Sequence, residues 1–329
     1  MSEGLASNPN VGYDQWERSM SRLMGIEGKV LNEEKDYSEA PNAEFFTRFK
    51  KQHPRQMVLL HLNGNARMPG YRREPFFAGH WLYYEGARIL SAVPAEEGRT
   101  TLRVSDASLF ETDMGRYGNS NDDIGLCVRK EDGRPDWHRS EQVKLVKRNL
   151  EKDTITVKRG MYGTEPRSFE GGAAYAAAHC VEGPWGKKGS DLMWAYNYST
   201  TCPEDSRGRK ASDVFAAQLG ELFSDDGTLA AFDGLEFDVL FNHPTYMIHQ
   251  RGRVPDCDGD GEGDRGYLDG KDVYGIGVIH FLRKVREELG DDRLIMADGH
   301  LSDHQRGFHI LNGIESEGWP THSDIRARE

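Results

Sequence analysis

The segment Phe232-Asp233-Gly234-Leu235-Glu236-Phe237-Asp238-Val239-Leu240 constrains the fold of this chain more than any other. Side chains alternate along a strand, so Glu236 and Asp238 share one face while Leu235, Phe237 and Val239 share the other. Carboxylates in a buried strand are costly unless paired or put to use. The alternation therefore sets an apolar face toward a core and an acidic face toward a site. Asp238 is nearer the C-terminal end of the strand, the end at which (β/α) barrels carry their active sites. The bland alternative is an edge strand with a solvated acidic face.

Other apolar runs read as strands at 57–63, 81–84, 192–199, 293–297 and 313–317, and helical spacing is found at 14–24, 43–52, 205–223 and 273–289. Asn42 can cap the second helix, which must stop before Pro54. Alternating strands and helices imply parallel strands with right-handed crossovers. Residues 86–180 break this rhythm with four short strands separated by Gly-, Asp- and Asn-rich turns and no helix. The expected fold class is thus α/β: a (β/α) barrel with an inserted all-β module. Its divisions are a lead-in over 1–42, a first barrel part over 43–85, the β module over 86–182 and the continuing barrel over 183–329. Six barrel strands can be counted where eight close a barrel, so the barrel is expected to be incomplete at its C-terminus.

Two further strands carry acids toward the same rim. Asp298 ends the run 294–298, and Glu315 and Glu317 share a face before Trp319. Such carboxylates suit glycoside hydrolysis, in which one acid protonates the leaving oxygen while another attacks carbon or activates water. Candidate sugar-binding residues are His61 and Asn63 on the first strand, with Glu236, Asp298, Trp319 and Tyr196. In 256–264, Asp256, Asp258, Asp260 and Asp264 stand at places one, three, five and nine, with Gly261 at six, as at the start of a calcium loop. The twelfth place is Tyr267 rather than the usual Glu, so Asp269 or Asp272 would have to close the shell. A structural calcium ion is expected, and no organic cofactor, since no dinucleotide or phosphate-loop fingerprint is found.

Over 329 residues the net charge is −12, which opposes a nucleic-acid phosphate binder. No run approaches the roughly 18 apolar residues needed to span a bilayer. The four cysteines are far apart without a C-x-x-C pair, so buried thiols or one or two disulfides are both open. The N-terminal residues show no signal peptide, and a secreted or periplasmic location is slightly favoured.

The segments 59–64, 232–239, 256–264, 293–298 and 312–320 together resemble a bacterial family of hypothetical glycosyl hydrolases with a TIM-barrel core. The resemblance implies a carbohydrate substrate, with Asp238 as nucleophile, Glu317 as proton donor and Glu315 as the alternate donor. The inserted β module departs from a plain barrel. Two other functions compete: a non-catalytic carbohydrate-binding protein, and a surface or assembly component that uses the β module as its contact.

Overall fold

The computed structural model describes residues 12–31, 41–70, 73–114, 118, 120–183, 192–244, 252–298, 307 and 309–315. They divide into two compact units, one of Met1–Asn65, Phe215–Asn242 and Ile279–Glu329, the other of Ala66–Val214 and His243–Val278.

The first unit is built on five parallel strands, β1 (Gly25–Gly28), β2 (Met57–Asn63), β3 (Gly234–Asp238), β4 (Leu294–Asp298) and β5 (Gly313–Glu315), lying side by side in chain order. Their register aligns Glu27 with Leu59, Glu236 with His61, Asp238 with Asn63, and Asp298 with Glu315. The alternate positions hold Ile26, Val58, Leu60, Leu62, Leu235, Phe237, Ile295 and Ala297, all buried. Each large side chain in that row contributes about 1.5–3 kcal/mol by leaving water.

Helices supply the other half of this core. In α1 (Tyr13–Met20), Tyr13, Trp16 and Met20 fall on one face by helical spacing. Trp16 meets Phe46 and Phe49 of α2 (Pro41–Gln52) with ring centroids 5.2 and 5.4 Å apart. Phe215 of α3 (Ala211–Phe223) and Phe281 of α4 (Val273–Leu289) stack at 5.3 Å and both touch Phe237. Helix α2 begins at Pro41 rather than after Asn42, because proline fits a first helical turn whose N–H would be unbonded anyway. Helix α3 begins six residues later than its spacing suggests. Asp205 accepts hydrogen bonds from the backbone N–H of Arg207 and Arg209 and pairs with the Arg209 guanidinium, which holds 205–210 in a turn.

The second unit carries a six-stranded antiparallel sheet, ordered Ala87–Ile89, Ala174–Ala178, Asp123–Arg129, Pro135–Asn149, Thr154–Lys158 and Arg99–Arg103. Beside it Glu141 and Arg159 form a fully buried two-pronged ion pair at 2.8 and 2.6 Å. The Glu141 oxygens also accept from the backbone N–H of Gly160 and Arg167, so the buried charge is fully bonded.

The expected (β/α) barrel is overturned. Among the described residues there are four α-helices, one parallel sheet of five strands, and otherwise antiparallel pairing. Two expected barrel strands belong to other sheets. Tyr83–Tyr84 pairs antiparallel with Pro255–Asp256, and Met193–Ala195 pairs antiparallel with Val181–Glu182 and Ala66–Arg67. Both runs are apolar because they are buried on both faces, a pattern shared by parallel and enclosed antiparallel strands. Their rings stack within the second unit, as in Trp81 on Tyr196 and His179 on Trp194. In exchange, Gly25–Gly28 from the supposed lead-in joins the parallel sheet as its edge strand. Its glycines conceal it: a Cβ on Gly28 would lie 2.3 Å from the Phe46 ring, so the close approach of α2 excludes any strand-favouring side chain.

Candidate functional site

The acids of the 232–240 segment divide by position along the strand. Asp233, just before β3, is structural. Its carboxylate takes the Lys50 ammonium at 2.7 Å and the Val58 N–H at 2.8 Å, and its carbonyl accepts from Leu294 N–H at 2.8 Å, so it ties β2 and β4 to the start of β3. Glu236 and Asp238 follow on the opposite face from Phe237, beside His61 and Asn63 of β2.

His61 is the centre of this face. Its Nδ1 lies 2.7 Å from Glu236 Oε2 and 3.8 Å from Glu27 Oε1, and its Nε2 lies 3.5 Å from Asp238 Oδ2. Lys29 Nζ stands 4.0 Å from the same Asp238 oxygen. Side-chain exposure falls from 28% at Asp238 through 14% at His61 to 0% at Glu236, so the group runs from a water-accessible carboxylate into the protein. Burial works to deprotonate His61, but the adjoining carboxylates of Asp238 and Glu236 outweigh it and raise its pKa to about 10. Burial also works to raise Asp238, but the imidazole of His61 beside it and the charges of His61 and Lys29 hold its carboxyl below the usual range.

The chain leaves β3 abruptly. Val239 has φ of 53°, a left-handed conformation that a β-branched residue adopts only at a cost. Asp238's carbonyl accepts from Gly64 N–H at 2.7 Å, and Phe241 N–H donates to Asn65 Oδ1 at 3.1 Å, so the ends of β2 and β3 are fastened together. Asn63 Oδ1 accepts from Asn65 N–H at 2.9 Å, which turns the chain after β2.

Asp298 of β4 pairs with Glu315 of β5 one position beyond the Phe237–Ala297 pair, in line with Asp238, whereas Glu236 stands opposite Met296. Glu317 and Trp319 lie outside the described residues. Tyr196 belongs to the second unit, where its ring is buried and its hydroxyl accepts from Arg67. Glu27 and Lys29 were not singled out by the sequence reading. The signal available was Glu27 alone between Ile26 and two glycines, too short to display an alternation.

The acidic loop in the second unit folds around Asp256, which is buried. One Asp256 oxygen accepts from the N–H of Gly259 and Asp260, the other from Gly261. Carboxylate oxygens of Asp256, Asp258 and Asp260 lie within 4.8 Å of one another. Burial, with the charges of Asp258, Asp260 and Asp264, pushes the Asp256 carboxyl well up despite the Gly261 N–H. Arg134 approaches Asp258 and Asp260 at 3.7 and 3.8 Å. Asp264 serves the backbone instead, accepting from Cys257 and Gly266 N–H, and Asp272 accepts from Gly275 N–H at the start of α4.

All four cysteines are free thiols and buried. Among the described residues, no helix is long and apolar enough to cross a membrane. Compared with known proteins, the chain matches no family model and no curated sequence.

Proposed function

We infer that this chain hydrolyses O-glycosidic bonds at the acidic face of its parallel sheet, with Asp238 as the attacking or water-activating carboxylate. The observation that carries the reading is the register row. Asp238 stands at the C-terminal end of β3, with Asp298 on the neighbouring strand and Glu315 on the one after, while the alternate row is wholly apolar. Neighbouring strands are about 4.8 Å apart, so strand positions one and two away are spaced on the scale of the roughly 5 Å and 6.5–9.5 Å carboxylate separations of retaining and inverting glycosidases. A half-exposed carboxylate beside Lys29 and His61 suits a nucleophile or base, and the strained Val239 is the kind of backbone outlier that clusters at working sites. Glu315 is the proton donor in this reading, with Glu317 as the alternative.

The test is a panel of aryl glycosides and oligosaccharides assayed with wild type and Asp238→Asn. Turnover should fall by about three orders of magnitude or more in the variant, as expected when a group acting on the reacting atoms is removed, with unchanged circular dichroism. Hydrolysis that survives Asp238→Asn would sink the assignment. Glycan binding without turnover in wild type would favour the non-catalytic carbohydrate-binding reading.

We further propose that the 256–260 turn holds a structural calcium ion. Three hard carboxylates converge there with, among the described residues, one half-exposed arginine paired to them, and a divalent cation offsets the excess negative charge.

A further inference from the structure

We propose that Glu27, His61 and Glu236 form a binding site for a divalent first-row transition metal, with His61 coordinating through Nδ1. The three residues come from three adjacent parallel strands and one face of the sheet, His61 and Glu236 directly opposite each other and Glu27 opposite Leu59, two residues earlier, and one donor atom of each lies within 4.8 Å of the other two. Donors bound to one such ion at about 2.0–2.2 Å sit roughly 3 Å apart. The observed 2.7 Å from Nδ1 to Glu236 and 3.8 Å from Nδ1 to Glu27 bracket that spacing, so ligation needs only small side-chain adjustments.

Two features favour a metal over a simple ion pair. The first is the geometry at Nδ1. Nδ1 is buried and makes no well-formed hydrogen bond although Glu236 Oε2 lies 2.7 Å away, and the Glu27 oxygen at 3.8 Å is beyond hydrogen-bond reach of the same nitrogen. A divalent ion engages both carboxylates at once. The second is the far side of the ring. Histidines that ligate metals commonly donate their other ring N–H to a carboxylate, which fixes the tautomer and raises ligand basicity. His61 Nε2 faces Asp238 at 3.5 Å, and Asp238 is itself held by Lys29 at 4.0 Å.

The donor set identifies the class of ion. One imidazole nitrogen with two carboxylate oxygens suits Mn²⁺, Fe²⁺ or Zn²⁺, whereas calcium prefers an all-oxygen shell such as the 256–260 turn. Three protein donors leave coordination positions for water or a substrate oxygen. The proposal stands apart from the glycosidase reading, because metal binding is measured without turnover.

The experiment uses the full chain, stripped with a chelator and titrated with Mn²⁺ under pulsed electron paramagnetic resonance, with Zn²⁺ as competitor. The expected result is one bound Mn²⁺ showing imidazole nitrogen coupling and displaced by Zn²⁺. His61→Gln should abolish the coupling, and Glu27→Gln and Glu236→Gln should each weaken binding by about tenfold or more. Asp256→Asn should leave the nitrogen-coupled ion in place. Absence of nitrogen-coupled Mn²⁺ and of His61-dependent Zn²⁺ binding at millimolar metal overturns the proposal and leaves His61 as a bridging imidazolium. Should removal of a buried partner unfold the chain, the wild-type coupling and the partly exposed Glu27 variant decide the question.

Discussion

His179 shows how one buried ring can tie stability to pH. It lies in the second unit, fully enclosed, with its ring 3.8 Å above Trp194 and its Nε2 2.8 Å from Gln142 Oε1. Burial, with Arg73 and Lys144 nearby, pushes its pKa well below the ordinary 6.5, so it is neutral when folded. The unfolded chain regains the ordinary value. A depressed histidine therefore contributes stability that is fully present above pH 6.5 and is lost as pH falls toward the folded pKa. Each pH unit below that point costs about 1.4 kcal/mol from this one group. Denaturant unfolding of wild type and His179→Gln at pH 7 and pH 5 should show the variant losing less on acidification, by up to about 2 kcal/mol. Equal losses would show that His179 is charged in the folded protein. Nothing in the local sequence Ala-Ala-Ala-His-Cys indicates this, because enclosure comes from Tyr83 and Trp194, remote in the chain.

At the level of single elements, β3 depends on a residue without a side chain. A Cβ on Gly234 would lie 2.0 Å from the Leu294 carbonyl oxygen, an approach set by β4 itself. Gly234→Ala forces these strands apart at the base of the candidate site. It should destabilise by about 2 kcal/mol or more, read from the midpoint of urea unfolding at constant slope. A loss under about 0.5 kcal/mol would mean that the strand ends are free to separate. The same segment shows what a sequence can convey about this fold. Strict alternation across 234–238 made β3 and its two faces legible, and helical spacing did the same for α1 and α4. Short strands and their partners were not legible. Gly25–Gly28 has too few side chains for a pattern, and Tyr83–Tyr84 and Met193–Ala195 bury both faces, so neither sheet nor direction is written in their composition. Of the site, the sequence held Glu236, Asp238 and His61 as separate residues. Their contact through one imidazole depends on the β2–β3 register, which is a long-range property.

For the molecule as a whole, a net charge of −12 over 329 residues makes the folded state sensitive to how clustered acids are neutralised. One such cluster is the 256–260 turn, where Asp256 is buried and already committed to three backbone N–H groups. Those bonds shape the turn but bring no positive charge, and among the described residues the salt bridges to Asp258 and Asp260 come from Arg134. An ion that binds the folded chain and not the unfolded one stabilises by mass action, about 2.7 kcal/mol at a hundredfold excess over its dissociation constant. For a chain of this size that corresponds to a rise in melting temperature of roughly 4 °C. Scanning calorimetry in calcium against chelator should show the rise in wild type, and Mg²⁺ at the same concentration should give less, because its rigid octahedral shell fits a flexible carboxylate turn poorly. Asp260→Asn, which removes a charge while keeping an oxygen for the Glu262 N–H, should reduce the shift without unfolding the turn. If calcium leaves wild type and Asp260→Asn with the same melting temperature as chelator does, the turn is held by its hydrogen bonds alone. The His61 variants should keep the full calcium shift, since their donors belong to the other unit.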